Sequence, residues 1–356
     1  LVEYSHALNL SSAAPGEVER SLQMDFEGMP YVSRVLHGAG YGREYLASAE
    51  AAVLKGNLKQ AQKDAYTAIY HAKEQQQTDI VYNAMFWLLR IGMLNGDADA
   101  MQQILTQLQA EKQRQSQLTD SVLDIVLGWF YSEYGMVDKV AGWVLYDQQG
   151  NQPPISVDRD TLLRVRCLIV ERKYYEALAL LSHLEEICRK RNSLITLMNV
   201  TVYQAVVHYQ LDDMDAASAA IAAGYEIAKG DELYMPFVIY GHMTRSLFEN
   251  LAKQKPPGLP GEWLEQMRTR SATYAKRHAY LQERFTEKQQ KKEYGLTERE
   301  SELLRNLSQG LNRDEMAQSM YVSPHTIKSM LKTVYNKIGA INSADAVRIA
   351  VSEGLI

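Results

Sequence analysis

A stretch near the end of the chain combines cationic and hydrogen-bonding side chains at helical spacing. Pro324 to Ile338 contains three lysines, one histidine and no carboxylate, although the chain as a whole carries a net charge of −5. If this stretch is a helix, its polar side chains share one face, and they are His325, Lys328, Ser329, Lys332 and Asn336. Lysines bind phosphates and guanine edges, while serine and asparagine hydrogen-bond to bases. The stretch therefore predicts a DNA-binding face, and a merely solvated amphipathic helix is the alternative.

The elements that must position this face can be predicted from helix caps and apolar spacing. Residues 296–356 contain four helix starts, each with a residue that can accept a hydrogen bond from a first-turn amide: Thr297, Asn312, Ser323 and Asn342. In the third helix, apolar side chains at steps of four, three and four form a stripe that we expect to be buried: Ile327, Leu331, Val334 and Ile338. A short helix, a tight turn and a basic-faced helix have the layout of a helix-turn-helix.

The same residues resemble the LuxR/GerE type of DNA-binding domain from Leu296 to Ile356, nearly end to end and without gaps. The motifs that carry the resemblance are LTERE, GLNRDEMA, VSPHTIK, YNKI and the final GLI. The resemblance implies that Lys328 and Lys332 contact the major groove, with Ser329 between them able to touch a base. It also implies that Ser323 and Thr326 hold phosphates at the helix start. His325, Asn336 and Lys337 complete the expected DNA-binding residues.

The fourth helix of LuxR-type domains pairs two subunits, so the resemblance implies self-association on DNA. Val347 and Val351 are the expected contacts, because Ala346 and Ala350 can pack on the bundle. Packing of both valines into the core is the alternative. Two positions depart from the family pattern: Met330 stands where many members have histidine, and Ser343 replaces the usual arginine. We expect one backbone or inter-helix contact to be affected.

The region from Tyr41 to about Gly230 repeats a helical hairpin. Short turn signals recur at intervals of 40, 39, 37 and 40 residues, and they are Gly56-Asn57, Gly96-Asp97, Gly135-Met136, Arg172-Lys173 and Asp212-Asp213. An apolar helical stripe precedes each turn, and an alanine-bearing second helix follows it. Two helices in a period near 40 predict an all-α fold, with a tetratricopeptide-like α-solenoid preceding the helix-turn-helix domain.

This combination resembles the C-terminal half of the large ATP-dependent, MalT-like LuxR regulators. Members of that class carry an upstream nucleotide-binding module, and no phosphate-binding G-x-x-x-x-G-K-[ST] loop occurs in this chain. We therefore expect no cofactor in this chain and no nucleotide binding by it alone. Because the chain starts at Leu1 without methionine, we expect it to be part of a longer protein, and a stand-alone relative is the alternative.

Other chemistry is weakly supported by the residues. His183 and Glu186 lie three apart on one predicted helix face and could ligate a metal, but a solvated face is the more common reading, and no metal site is predicted. The two cysteines, Cys167 and Cys188, are expected to be reduced thiols. No catalytic motif stands out, so an enzyme is not expected. No uncharged apolar run approaches the ~20 residues of a membrane span, and no membrane partner is expected.

Charge is segregated along the chain and suggests three regions. Residues 1–267 carry a net charge of −10, residues 268–292 carry +6, and residues 293–356 carry −1. We predict a helical repeat domain over 1–255, a basic helical linker over 256–293 and the DNA-binding domain over 294–356. The linker is either a solvated connector or a cationic arm near DNA phosphates.

We therefore expect a cytoplasmic bacterial transcription regulator that binds double-stranded DNA. Its repeat domain would sense an unknown small-molecule or protein effector. The alternative, from another class, is a helical-repeat scaffold that binds proteins and whose terminal bundle does not read a DNA sequence.

Overall fold

The computed structural model of the chain describes residues 16–35, 40–114, 120–146, 157–352 and 355–356. Within these ranges the regular structure is helical throughout, which confirms the all-α prediction. None of the helices in the described part combines the length and the apolar content that crossing a membrane requires. The chain divides between Ala279 and Tyr280 into two compact units.

The first unit is built from helices joined by short turns. Their bounds are α1 Val18–Val35, α2 Arg43–Leu54, α3 Leu58–Glu74, α4 Thr78–Asn95, α5 Ala98–Arg114, α6 Asp120–Glu133, α7 Gly142–Tyr146, α8 Val157–Val170, α9 Tyr174–Arg191, α10 Leu194–Gln210, α11 Met214–Ala228, α12 Met235–Val238, α13 Gly241–Gln254 and α14 Gly261–Glu293. Two 3-10 helices, Val137–Lys139 and Lys229–Asp231, lie between them.

All five predicted turns end a helix with a residue at positive φ. The φ angles are +76° at Gly56, +73° at Gly96, +77° at Gly135, +60° at Arg172 and +60° at Asp212. A left-handed residue after the last helical position lets the chain reverse while nearby amides bond back to the helix end. Helices α2 and α3, α4 and α5, α8 and α9, and α10 and α11 then pack as successive hairpins.

The first and second helices of the hairpins differ in burial. Helices α4 and α10 are buried on nearly every face. Helix α3, by contrast, buries mainly one stripe of small residues, Ala61, Ala65, Ala68 and Ala72. The first helices also contact each other in series, from α2 to α4, α6, α8 and α10. They form an inner layer that the second helices cover, which is how stacked repeats bury a continuous core.

The third hairpin departs from the expected layout. An alanine-bearing second helix was expected after Gly135, but residues 137–146 form a 3-10 turn and the five-residue helix α7. Val137, Val140 and Val144 fill the space against α6 and α8, and the Trp143 indole N–H donates to the Asp124 carboxylate at 2.9 Å. Valines and Gly142 have poorer helix propensity than alanine, so this segment packs by its apolar side chains instead.

Helix α14 lies within the predicted helical linker over 256–293, but it belongs to both units. Leu264, Met267 and Ser271 on its first turns are fully buried. Two of the basic residues expected on a linker act inside the first unit: Arg270 lies 3.7 Å from the centroid of the Tyr234 ring, and Arg277 donates to the Leu94 carbonyl. The compact body therefore extends well beyond residue 255. The side chains of residues 286–293 lie outside the described part.

Candidate nucleic-acid interface

Four helices of the second unit enclose one apolar core. They are α15 Glu298–Ser308, α16 Arg313–Ser319, α17 Pro324–Ile338 and α18 Ser343–Ser352. Leu303 and Leu304 from α15, Met316 from α16 and Ala346 and Ala350 from α18 are all at most 1% exposed. The helices contact one another around these side chains. This core holds α17 in a fixed position.

Two of the predicted helix caps, Thr297 and Asn312, form capping boxes. The Thr297 amide donates to the Glu300 carboxylate at 2.7 Å, and the Glu300 amide donates to the Thr297 hydroxyl at 3.3 Å. The Asn312 amide likewise donates to the Glu315 carboxylate at 2.7 Å, while the Asn312 side-chain oxygen accepts from the Glu315 amide at 3.0 Å. Each box satisfies amides that a helix start leaves without intrahelical partners.

The turn before α17 exposes two hydroxyl groups at the helix start. Four residues separate Ser319, the end of α16, from Pro324, and Tyr321 has a φ of +54° in this turn. The Ser323 hydroxyl accepts from the Thr326 amide at 3.1 Å and lies 2.8 Å from the Thr326 hydroxyl. Both residues are exposed, and the positive end of a helix dipole favours a phosphate at this position.

Helix α17 separates an apolar side from a basic side. Its predicted stripe is confirmed, since the buried residues are Ile327, Leu331, Val334 and Ile338. The residues of the predicted DNA-binding face are exposed, and they are His325, Lys328, Ser329, Lys332 and Asn336. Neither Lys328 nor Lys332 forms an ion pair with another described residue. Their ammonium groups are therefore available to an anionic partner.

Lys337 lies apart from this face. Its ammonium group donates to the Gly295 carbonyl at 2.6 Å and to the Glu300 carboxylate at 2.7 Å. Partial burial raises the pKa of Glu300, but hydrogen bonds from Lys337 and Thr297 outweigh burial and lower that pKa below its ordinary value. Lys337 thus joins α17 to the start of α15, and its charge is already compensated.

On helix α18, two valines were expected at a subunit contact. These valines, Val347 and Val351, lie in different environments. Ala346 and Ala350 are fully buried, as expected, while Val347 is half-buried. Val351 is 63% exposed and Ile341, just before the helix, is 85% exposed. Val351 therefore does not complete the core, and it remains available for a contact with another molecule.

The two departures from the family pattern have structural accounts. The Ser343 hydroxyl lies 2.8 Å from the Tyr335 hydroxyl, so a hydrogen bond joins the start of α18 to α17. Met330 is half-buried and packs against the core. An inter-helix contact is thus present at Ser343, although arginine is absent there.

Comparison with known proteins agrees with this arrangement. Residues 295–350 match the family described as bacterial regulatory proteins, luxR family. The second unit therefore contains a LuxR-type helix-turn-helix domain. The chain is also 39% identical to the transcriptional regulatory protein YdfI of Bacillus subtilis (strain 168) over 69 residues, which are 19% of this chain. The chain spans about a third of the length of that relative, since 32% of it is covered.

A buried polar cluster in the first unit was missed by the sequence analysis. The Arg166 guanidinium pairs with the Glu133 carboxylate and donates to the Tyr203 hydroxyl at 3.0 Å. The other carboxylate oxygen of Glu133 lies 3.4 Å from Nδ1 of His242 and 3.5 Å from Nε2 of His278. These residues come from five helices up to 145 residues apart. No local spacing in the sequence could have indicated their contact.

This cluster has ligand atoms for a metal but unsuitable ring geometry. One atom each from Glu133, His242 and His278 lies within 4.8 Å of the others. The two imidazoles, however, stack with centroids 3.8 Å apart and planes 14° from parallel. A ligating nitrogen directs its lone pair within the ring plane, and near-parallel planes share no point close to both rings. The His278 ring nitrogen also bonds to the Glu133 carbonyl at 2.8 Å. The cluster is better suited to hydrogen bonding than to metal binding.

The other candidates from the sequence lie in ordinary environments. Glu186 is exposed and pairs with Lys190 at 2.5 Å, while His183 is exposed on the same helix. Cys167 and Cys188 are both buried thiols. Burial raises the pKa of Cys167 to about 11, so it is a poor nucleophile.

Proposed function

We propose that the chain is a bacterial transcription regulator that binds duplex DNA through α17. The observation that carries the proposal is the exposed face of α17, which is basic, lacks carboxylates and follows a tight turn. An α-helix of this diameter fits the DNA major groove. The Bacillus relative, a transcriptional regulatory protein, supports the same role.

Within this proposal the exposed residues divide into two kinds of contact. Lys328, Ser329, Lys332 and Asn336 face the groove, where they can bond to base edges. Ser323, His325 and Thr326, near the start of α17, contact phosphates and fix the register of the helix on the duplex. Lys337 serves the internal pair with Glu300 and supplies only a background positive charge.

The first unit acts as a sensor in this proposal. Stacked helical repeats are commonly used as binding surfaces, so we assign effector binding to this unit. We further propose that two copies pair on DNA through Val347 and Val351 of α18. Since the chromosome is the partner, the regulator would act in the cytoplasm.

Salt dependence of DNA binding tests the proposal against a protein-binding scaffold. A duplex should first be selected from a random library with the purified chain, and its affinity measured by fluorescence anisotropy at several salt concentrations. Each contacted phosphate releases counterions, so the affinity should fall steeply as salt rises. The selected duplex should also bind better than a scrambled one. Failure to select any sequence, or equal affinity for the scrambled duplex, would support the scaffold instead.

A further inference from the structure

A cavity of about 60 Å³ lies inside the first unit, against the inner layer of helices. The first helix of every repeated hairpin contributes to its wall, from α2 through α4, α6 and α8 to α10, and α12 closes it. The cavity is thus built by the whole repeat array rather than by one hairpin.

Aromatic and aliphatic side chains form most of the wall. The rings of Phe86, Trp87, Trp129 and Tyr240 line it, together with aliphatic residues that include Val126 and Ile239. Apolar walls with a few polar groups are typical of small-molecule sites. The wall therefore favours a ligand with an apolar body.

Two buried hydrogen-bond donors at the cavity have no acceptor, and they belong to Arg90 and Trp87. Arg90 lies among the rings, 5.3 Å from the centroid of Phe86 and 5.5 Å from that of Trp129, and it donates to the Tyr240 hydroxyl at 2.9 Å. Its Nε is buried and has no acceptor, and the same holds for the indole nitrogen of Trp87. Arg90 also forms no ion pair with another described residue. A buried donor is satisfied by an acceptor, and a carboxylate offers two acceptor oxygens.

A second arginine nearby, Arg166, differs from Arg90 because a carboxylate lies against its guanidinium group. Arg166 contacts the same Trp129 and Tyr240 rings, at 4.8 Å and 4.7 Å from their centroids. Its charge is balanced by the Glu133 carboxylate, as described above. Arg90 makes no ion pair of this kind with a described carboxylate, although its charge also helps to lower the pKa of Glu133. Glu50 also lines the cavity, but it already has an interaction within the protein.

We propose that this cavity binds a small organic anion, a carboxylate with a short apolar or planar body. Its carboxylate would accept from the guanidinium of Arg90, and its body would pack on the surrounding rings. The inference rests on the sensor part of the proposed function, since it names the ligand class of that sensor. It does not depend on DNA binding by α17.

Two carboxylates and their neutral amides test the proposal on the complete chain without DNA. Butyrate and benzoate are titrated while the fluorescence of the tryptophans is followed, because Trp87 and Trp129 line the cavity. Butyramide and benzamide have nearly the same shape without the charge, and sodium chloride at equal concentration controls for ionic strength. At least one carboxylate should bind saturably and at least tenfold more tightly than its amide. Equal binding of acid and amide, or no saturable change with either acid, would overturn the proposal.

Arg90→Gln removes the charge while keeping a side chain that can fill the space. Its affinity for the carboxylate should fall at least tenfold, whereas affinity for the amide should change little. Arg245→Gln is the matched control, because Arg245 is exposed and pairs with Glu249 on its own helix. If circular dichroism shows that Arg90→Gln does not fold, the comparison of each carboxylate with its amide on the unmodified chain still tests the proposal. If the unmodified chain binds the carboxylate but selects no DNA sequence, this proposal is supported while the proposed DNA binding by α17 is contradicted.

Discussion

At the scale of single residues, the lysines of α17 show how three-dimensional contacts separate residues that look alike in sequence. Lys328, Lys332 and Lys337 were all expected to bind DNA. The first two are exposed on one face, but Lys337 pairs with Glu300, 37 residues away. The lack of nearby acids in the sequence concealed that partner. Helical periodicity predicts which side of α17 is polar, but not which polar groups are already used.

Lys337→Ala should destabilise the second unit because it removes two hydrogen bonds, one of them to a carboxylate. The expected loss is about 1 kcal/mol in the free energy of unfolding, as for a partly exposed charged hydrogen bond. Folding lowers the pKa of Glu300, so the stabilisation by the Lys337–Glu300 pair is fully present above the ordinary pKa of 4.5. This stabilisation is lost as the pH falls from 4.5 through the lowered pKa of the folded protein. Hydrogen exchange of the α17 amides at pH 7 measures the loss.

Lys332→Ala is the matched control for that prediction. It removes the same ammonium group from the same helix, but from an exposed position without an ion pair to described residues. Its effect on the exchange of α17 amides should stay within about 0.5 kcal/mol. Equal effects of the two substitutions would contradict a stabilising role for the Lys337–Glu300 pair.

His242 should make the stability of the first unit depend on pH. Burial lowers the pKa of His242 to about 3, although the Glu133 carboxylate opposes this shift. The unfolded chain, with an ordinary histidine value of 6.5, then binds a proton that the folded chain excludes. Stability should therefore fall as the pH drops from 6.5 towards 3, and His242→Gln should weaken this dependence.

The thermal midpoint from tryptophan fluorescence, recorded at several pH values, checks the role of His242. His183→Gln serves as the control because His183 is exposed on α9. It should leave the pH profile of the unmodified chain unchanged. An unchanged profile in His242→Gln as well would assign the acid sensitivity to other groups, such as Glu133, whose pKa is lowered to about 2.

At the scale of elements, the turns of the repeats could be predicted better than the segments that follow them. A turn depends on a few neighbouring residues, and all five predicted turns, from Gly56 to Asp212, contain a residue with left-handed backbone. The segment after Gly135 depends on how its valines pack against α6 and α8. That packing is a tertiary property, so the expected second helix was wrong there.

The helix-turn-helix could be predicted almost completely, because its caps and apolar stripe are local. Both capping boxes and the bounds of α17 follow from residues within one or two helical turns. The cavity around Arg90 and the cluster around Glu133 could not be predicted. Both depend on side chains that the repeat packing gathers from distant helices.

Helix α18 supports a further prediction at this scale. Val351 is exposed, so Val351→Asp should leave the fold intact while placing a charge in the proposed subunit contact. Two recognition helices meet half-sites about 10 base pairs apart. The substitution should therefore weaken binding to a two-half-site duplex far more than to a single half-site, as measured by anisotropy. Equal losses on the two duplexes would indicate that the domain binds as a monomer.

At the scale of the whole molecule, α14 is the element that the division by sequence described least well. A change in charge and a proline-rich segment suggested a boundary near residue 255. The helix runs from Gly261 to Glu293, within the predicted helical linker, but it contributes to both compact units. Amino-acid composition indicates the exposure of a segment only on average. The buried residues of α14, such as Leu264 and Met267, are few among many polar ones, so composition did not reveal that this helix packs in the first unit. The expected roles of the three regions stay predictions.

The central claim, that α17 binds DNA, is tested most directly by replacing Lys328 and Lys332 together with alanine. Affinity for the selected duplex should fall by about 1–3 kcal/mol for each lysine that bonds a base edge. Lys59 and Lys63 have the same spacing and exposure on α3, so Lys59→Ala/Lys63→Ala is the matched control and should bind normally. Unchanged affinity of the Lys328→Ala/Lys332→Ala chain, or an equal loss in the control, would contradict the account.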